Sequence, residues 1–556
     1  MSQHRNATVA SSAAAASTTV LLTLAAGQFL MTLDSSVMNV SIATVANDLG
    51  TTVSGIQTAI TLYTLVMASL MITGGKIGAI LGRKRAFAIG CVVYGAGSLT
   101  TALAPNLGVL LLGWSLLEGL GAALIMPAIV ALVASNFAPE ARPRAYGIVA
   151  ASGAIAVAVG PLIGGLLTTY ASWRWVFAGE VVIVAMIVLF ARRIVDTPPD
   201  KEARLDLVGT ALSALGLGLV VYGILKGGTW GFVRPRPEAP SWLGMSLVVW
   251  MVVAGGIVLR VFMSWETRRL ERGEQALLDP SILRIRQLRG GLVAFFFQFL
   301  LQAGLFFAVP LFLSVALGLS AIDTGLRIMP LSITLLAAAL GIPRFWPKAS
   351  PRLVVRIGII LLLTGIVVLA GALELGVGPE VVTGPLLLAG LGIGALASQL
   401  GAVTVSAVPD EQSPEVGGIQ NTVTNLGASI GTAFIGAVLM TVLTASFFTG
   451  IKDNPAIPPS LSSQAQVQLD TGVPFIPDSQ LEAALAEAGI TGETATAIVD
   501  ENTQARLDGL RAALIVLALI ALVALFFTGS IPVRPPGRPE SSSPSEAPLD
   551  RPTTDS

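Results

Sequence analysis

The sequence predicts an all-α polytopic membrane protein with fourteen spanning helices, and three observations carry that prediction. Fourteen apolar stretches of bilayer length occur along the 556 residues. Hydrophobic residues make up 53% of the chain and charged ones 12%, against about 25% charged in a soluble domain. The Lys and Arg residues of the short links fall almost entirely on alternate links, hence on one side of a membrane. Crossing roughly 30 Å of hydrocarbon takes about 20 mainly apolar residues in helical form, because the backbone finds no water there.

The stretches run over 20–43, 57–80, 87–103, 107–133, 146–168, 176–190, 207–225, 242–261, 290–312, 324–342, 357–373, 381–406, 417–445 and 510–529. Residues 1–19 are polar and Ala-rich. The run behind them has full membrane length, unlike the short core of a signal peptide, so the first helix is read as uncleaved. Helices one to six form the block 20–195. Helices seven and eight lie in a linker region, 196–289, between polar segments. Helices nine to fourteen occupy 290–530 and include a long acidic external segment, 447–508, which reads helical from Ser479. The tail, 531–556, is rich in Pro, Ser and charge, a composition that disfavours a packed fold, and is read as disordered. Six, two and six helices is the expected division.

With the N-terminus in the cytoplasm, Arg83, Lys84, Arg85, Arg142, Arg144, Arg192, Arg193, Lys201, Arg344, Lys348, Arg352 and Arg356 all lie inside. That orientation places both termini in the cytoplasm of a multi-pass cell-membrane protein. A net charge of zero gives no footprint for nucleic acid. One cysteine, Cys91, and one histidine, His4, exclude a disulfide within the chain. They also remove the usual zinc and haem ligands and the Ser/His and Cys/His constellations of hydrolases. The reading is a non-enzyme without cofactor or metal, working as a monomer on a small-molecule substrate and on protons within the lipid bilayer.

Candidate functional residues sit inside the spans. Asp34 lies near the middle of helix one, where a carboxylate is costly and faces a cavity or a partner; reversible protonation is the chemistry such a site offers. Asn39 follows on the same helix. Glu118 lies in helix four among small residues that let a neighbouring helix approach. Glu180, soon after Trp173-Arg174-Trp175, is read as structural. Helix five combines Gly153, Gly160, Pro161, Gly164 and Gly165, a small-residue face beside a helix-bending proline. Gln298 and Gln302 share a face of helix nine among phenylalanines, and Asn421 and Asn425 share one on helix thirteen; they are the candidate lining of a cavity for flat, lipophilic compounds. Gly390-Leu391-Gly392-Ile393-Gly394 imitates a nucleotide loop, but it lies within a span and no strand precedes it.

The link between helices two and three, with Gly75, Gly82, Arg83, Lys84 and Arg85, is a tight basic turn. Together with the Asp34 stretch, the Gly160-Pro161 helix, Trp173-Arg174-Trp175, the two inserted helices and Gly427 to Gly431, it resembles the major facilitator superfamily, and within it the fourteen-helix drug/proton antiporter family. The resemblance implies two six-helix bundles rocking about a midplane cavity, with proton entry driving export. Asp34 would be the main proton carrier and Glu118 its assistant. The sequence departs from the family pattern at Ala79 and Ile80, where an acid and a base are usual, and at Ser115 and Glu118, where arginine and glutamine are usual. The charge network of that pattern is therefore expected to be incomplete. The function so implied is proton-coupled export of small lipophilic or cationic compounds, of the multidrug type. An exporter dedicated to one metabolite, lipid or antibiotic is the second reading, and a non-transporting receptor with the same fold the third.

Overall fold

The computed structural model describes residues 2–137, 142–196, 199, 204–236, 239–408, 413–459, 461 and 475–534. The first half is built from α1 (Ser2–Asp48), α2 (Val53–Leu81), α3 (Arg83–Ala102), α4 (Leu107–Asn136), α5 (Arg142–Tyr170) and α6 (Arg174–Ala191). A hairpin of α7 (Leu207–Trp230) and α8 (Leu247–Glu271) follows. The second half comprises α9 (Arg286–Ala316), α10 (Ala321–Phe345), α11 (Pro351–Ala372), α12 (Pro379–Val405), α13 (Ser413–Asp453), the short α14 (Asp478–Glu487) and α15 (Glu493–Phe527).

Among the described residues, thirteen helices are long and apolar enough to cross a membrane. The fourteenth predicted span is α3, of 20 residues. It is less apolar because Arg83, Lys84 and Arg85 fill its first turn and Gly, Ser and Thr much of the remainder. It nevertheless packs between α4 and α6. Apolar side chains such as Leu99, Leu189, Ile257, Leu519 and Phe526 stay exposed on the outer faces, as lipid-facing surfaces require.

The largest interfaces between the halves are α5 with α10 and α2 with α13, and the α7–α8 hairpin leans on α2 and α13. Thr73 and Thr210 hydroxyls meet at 3.1 Å across the α2–α7 contact. Asp206 caps α7 by accepting the Gly209 N–H at 2.9 Å and also accepts the Trp265 indole N–H at 2.8 Å. The polar stretch that follows the eighth predicted span thus begins, over residues 262–271, as the last part of α8, held to the start of α7.

The end of the bundle that carries the α1–α2, α3–α4 and α5–α6 links is closed. Gln57 Nε2 donates to the carbonyls of Thr432 and Ala433 at 3.1 and 3.2 Å, and Ser429 Oγ donates to Thr61 O at 2.9 Å. On the other interface, Ile322 N–H donates to Thr169 Oγ1 at 3.0 Å. A Cβ placed on Gly165 would stand 2.6 Å from Ala321 O, and one on Gly325 would overlap Pro161 O. Side-chain-free positions therefore let α5 and α10 meet backbone to backbone.

Two expectations about the external segment and tail need correction. Helix α13 runs on to Asp453; the segment is helical from Asp478, as expected from Ser479, but its second helix, from Glu493, is continuous with the span expected at 510–529. The reason is buried packing: Ala497, Asn502, Ala505 and Arg506 are covered, and Ile457 and Phe475 join the core. The segment therefore does bury apolar surface; residues 460 and 462–474 lie outside the described part. Arg506 is fully buried, donates to Ile476 O at 2.8 Å and Val315 O at 3.3 Å, and pairs with Asp478. Asp478→Ala should leave this guanidinium without its carboxylate, a loss of about 2 kcal/mol, read as a lowered midpoint of thermal inactivation; an unchanged midpoint would show that the backbone carbonyls suffice. Within the tail, Ile531 is buried and its carbonyl accepts Arg352 Nε at 2.7 Å, so its first residues are held in place. Residues 535–556 lie outside the described part.

Candidate functional site: carboxyl groups behind a central cavity

A cavity of about 350 Å³ lies between the halves. Helices α1, α2, α4, α5, α9, α10, α12 and α13 all contribute to its wall. Asn39, Gln298, Gln302, Asn421 and Asn425, expected at a cavity, all line it, together with Gly153. Phe295, Phe299, Phe306, Met31, Met67 and Met126 supply the apolar surface. Gln28 and Gln420 also line it and were missed; Gln28 is an isolated amide in a long span, and Gln420, though next to Asn421, has no amide three or four residues away to mark its face. Gln298 is buried and its Oε1 has no hydrogen-bond partner. Asn39 and Asn425 donate within their own helices, to Ser35 O and Asn421 O at 2.9 Å. Amides next to aromatic and thioether groups suit a molecule with a large apolar body and a few polar atoms.

Behind the cavity wall sits a sealed polar pocket. Helix α4 changes to a π-helical stretch over Leu111–Glu118, and this widened turn buries Trp114, Ser115 and Glu118. Such turns are frequent at functional sites. Trp114 stacks on Tyr63, with ring centroids 5.2 Å apart and planes 13° from parallel, and both rings line the cavity. The indole N–H points the other way and meets both oxygens of Asp34 at 2.9 Å. Asp34 has no exposed surface. It is thus separated from the cavity by the aromatic pair instead of facing it, and exchange with the cavity requires the indole to move.

Glu118 is buried in the same pocket and accepts Thr101 Oγ1 at 3.2 Å. Glu180, read as structural, lies in the same pocket: it accepts Ser98 Oγ at 3.1 Å, and Asp34, Glu118 and Glu180 each offer an oxygen within 4.8 Å of the others. Sequence position pointed the other way because Glu180 follows an interfacial Trp-Arg-Trp run, yet it lies almost two helical turns into α6, on the face that packs against α3. Ser115 donates to Ala59 O at 2.8 Å, so the position where the family pattern has arginine brings no cation here.

The small-residue face of α5 divides between two contacts. Gly160 and Gly164 lie against Ser36 and Val37 of α1, whereas Pro161 and Gly165 lie against α10. In the basic turn, Gly82 has φ 99° and joins α2 to α3, and Arg83 Nη1 donates to Gly75 O at 2.6 Å. Lys84 N–H donates to Asp196 Oδ1 at 2.9 Å, and Lys84 Nζ donates to Arg192 O at 2.9 Å; Arg85 is exposed. The acid absent at position 79 thus has a counterpart in Asp196, from the segment after α6, which supplies a carboxylate at the N-terminus of α3. The glycines of 390–394 serve helix packing: Gly390 and Gly394 lie on the backbone of α10, Gly392 on that of α11.

Helices around a central cavity with polar groups behind it define a membrane transport protein. The chain belongs to the Major Facilitator Superfamily, whose model matches residues 24–432. It is 30% identical to the puromycin resistance protein pur8 of Streptomyces alboniger over 78% of this chain and 84% of that one. It is 26% identical to the multidrug resistance protein Stp of Mycobacterium tuberculosis, covering 92% and 91%, and 25% identical to the multidrug efflux pump LfrA of Mycolicibacterium smegmatis, covering 92% and 95%. Among solved structures, a bacterial homolog of the human lysosomal transporter Spinster, inward-facing and unoccupied, superposes with a TM-score of 0.58 at 15% identity over 93% of this chain and 98% of that one; that likeness concerns the fold.

Proposed function

We propose that this protein is a proton-coupled exporter of small lipophilic or cationic compounds, of the multidrug type. The observation that carries the reading is the placement of Trp114: one face of its ring system borders the cavity while its N–H holds Asp34. A ligand in the cavity and a proton on Asp34 then act on the same side chain, which gives the two sites a shared two-state element. The resistance and efflux relatives support export as the direction. The basic links support cytoplasmic termini, and in that orientation the closed end is the outer end. Asp34 is the main proton carrier and Glu118 its assistant. The amides of the cavity orient the substrate, and Gly160 to Gly165 form the hinge contact. The protein works as a monomer, without cofactor or metal, driven by the proton gradient.

The test is accumulation of fluorescent lipophilic cations in a pump-deficient host expressing the protein. Accumulation should fall several-fold and return to the control level when an uncoupler is added. Export that persists after the gradient has collapsed would remove the coupling, and no change in accumulation of any compound across a broad panel would favour a dedicated exporter or a receptor.

A further inference from the structure

We infer that Asp34, Glu118 and Glu180 act as one proton store that takes up at least two protons per cycle, with Glu180 as its third member. The inference rests on the coupling proposed above and adds its stoichiometry and a residue. Three carboxyl groups are enclosed here with no exposed surface on Asp34 or Glu118 and 1% on Glu180. The groups facing them are Tyr63 from α2, Tyr94, Ser98 and Thr101 from α3, and Trp114 from α4. None is cationic, and no ion pair among the described residues reaches the pocket.

Donors set how many of the three can be anions. Asp34 has the Trp114 N–H on both oxygens, with the hydroxyls of Tyr63 and Tyr94 beside it. Glu118 accepts from Thr101 and Glu180 from Ser98; Ser98 also stands near Glu118, and Tyr94 is shared between Asp34 and Glu180. The Thr101 and Ser98 hydroxyls each have one proton, which is also within reach of a backbone carbonyl, Gly97 O or Tyr94 O. This inventory supports one carboxylate. Glu118 Oε2, Glu180 Oε1 and both tyrosine hydroxyls are buried without hydrogen-bond partners, four polar atoms turned into one enclosed space. An uncompensated buried charge costs several kcal/mol, so two protons must accompany the three carboxyl groups when the pocket is closed. They leave when the pocket opens to the other side.

Two measurements test this. Infrared difference spectra of the purified protein between acid and alkaline pH count protonated carboxyl groups without any transport taking place. Two or more carboxylic C=O bands are expected, with one lost in Glu180→Gln, one in Glu118→Gln, and recovery in Glu180→Asp. In proteoliposomes at static head, an inward pH difference of one unit should support about a 100-fold gradient of a neutral substrate for two protons and about 10-fold for one, each tenfold step being 1.4 kcal/mol. Glu180→Gln should move the ratio from the first value toward the second. A ratio of one proton in the unaltered protein, or spectra that Glu180→Gln leaves unchanged, would overturn the inference. So would bands that are absent until metal cations are removed, since a cation would then neutralise the pocket. If the bands behave as expected but no pH difference drives transport, the coupling reading fails while the proton store stands.

Discussion

Asp34→Asn is expected to abolish gradient-driven export, lowering the initial rate in everted vesicles by 100-fold or more, while the protein inserts and purifies as before. The amide has the shape of the carboxyl group and one oxygen left to accept the Trp114 N–H, so the pocket retains its packing and its contact to the indole. What it loses is the ability to change charge. With Asp34 fixed as neutral, the indole feels the same partner in every state, and a ligand on its cavity face no longer has anything to exchange with. Ligand binding from the cavity should survive within a few-fold, because Asp34 is not part of the cavity wall. Undiminished, uncoupler-sensitive export by a well-expressed Asp34→Asn protein would take Asp34 out of the mechanism and move coupling to Glu118 and Glu180.

The fold was legible because the bilayer imposes one constraint, internal satisfaction of the backbone, that long apolar runs meet in only one way. Where that signal weakened, the reading slipped. Helix α3 is spanning by length and packing but is diluted by Gly, Ser and Thr. Helix α15 begins well before its apolar core, because Arg506 and Asn502 are polar residues that the fold buries. The amides of the cavity were found since pairs at helical spacing mark a face. Glu180 was named, but its place beside Asp34 and Glu118 was not, for a reason of register: a lone acid near an apparent membrane boundary carries no information about which neighbour its face will meet. Likewise, Asp196 substitutes for the acid missing from the basic turn only through the return of α6 beside α3, a contact over more than a hundred residues of sequence. The π-helical turn that brings Trp114 and Glu118 to Asp34 leaves no composition signature at all.

Gly325→Leu is expected to shift the protein toward a state open at the outer end and to stop export. At the closed end, the outer one in the proposed orientation, the halves meet in a backbone contact: Gly325 lies on the Pro161 carbonyl, and Gly165 lies on Ala321 and Ile322. A leucine there has no flexible neighbour to displace, so closure must either separate α5 from α10 or distort one of them. Overpacking of this kind costs about 1–3 kcal/mol, and about 2 kcal/mol displaces a two-state balance by roughly 30-fold. Gly160→Leu differs, since it presses on Ser36 within one half and should harm packing of α1 on α5 without choosing a state. Gly147→Leu, with nothing within 4 Å of its Cβ, is the control. The balance is read by labelling a cysteine placed at Asn39, in a Cys91→Ala background, with an impermeant maleimide from each side of the membrane. Labelling from the outer side should rise and from the inner side fall in Gly325→Leu only. If the two rates keep their ratio and export continues, the contact between Gly325 and Pro161 is not what closes the outer end.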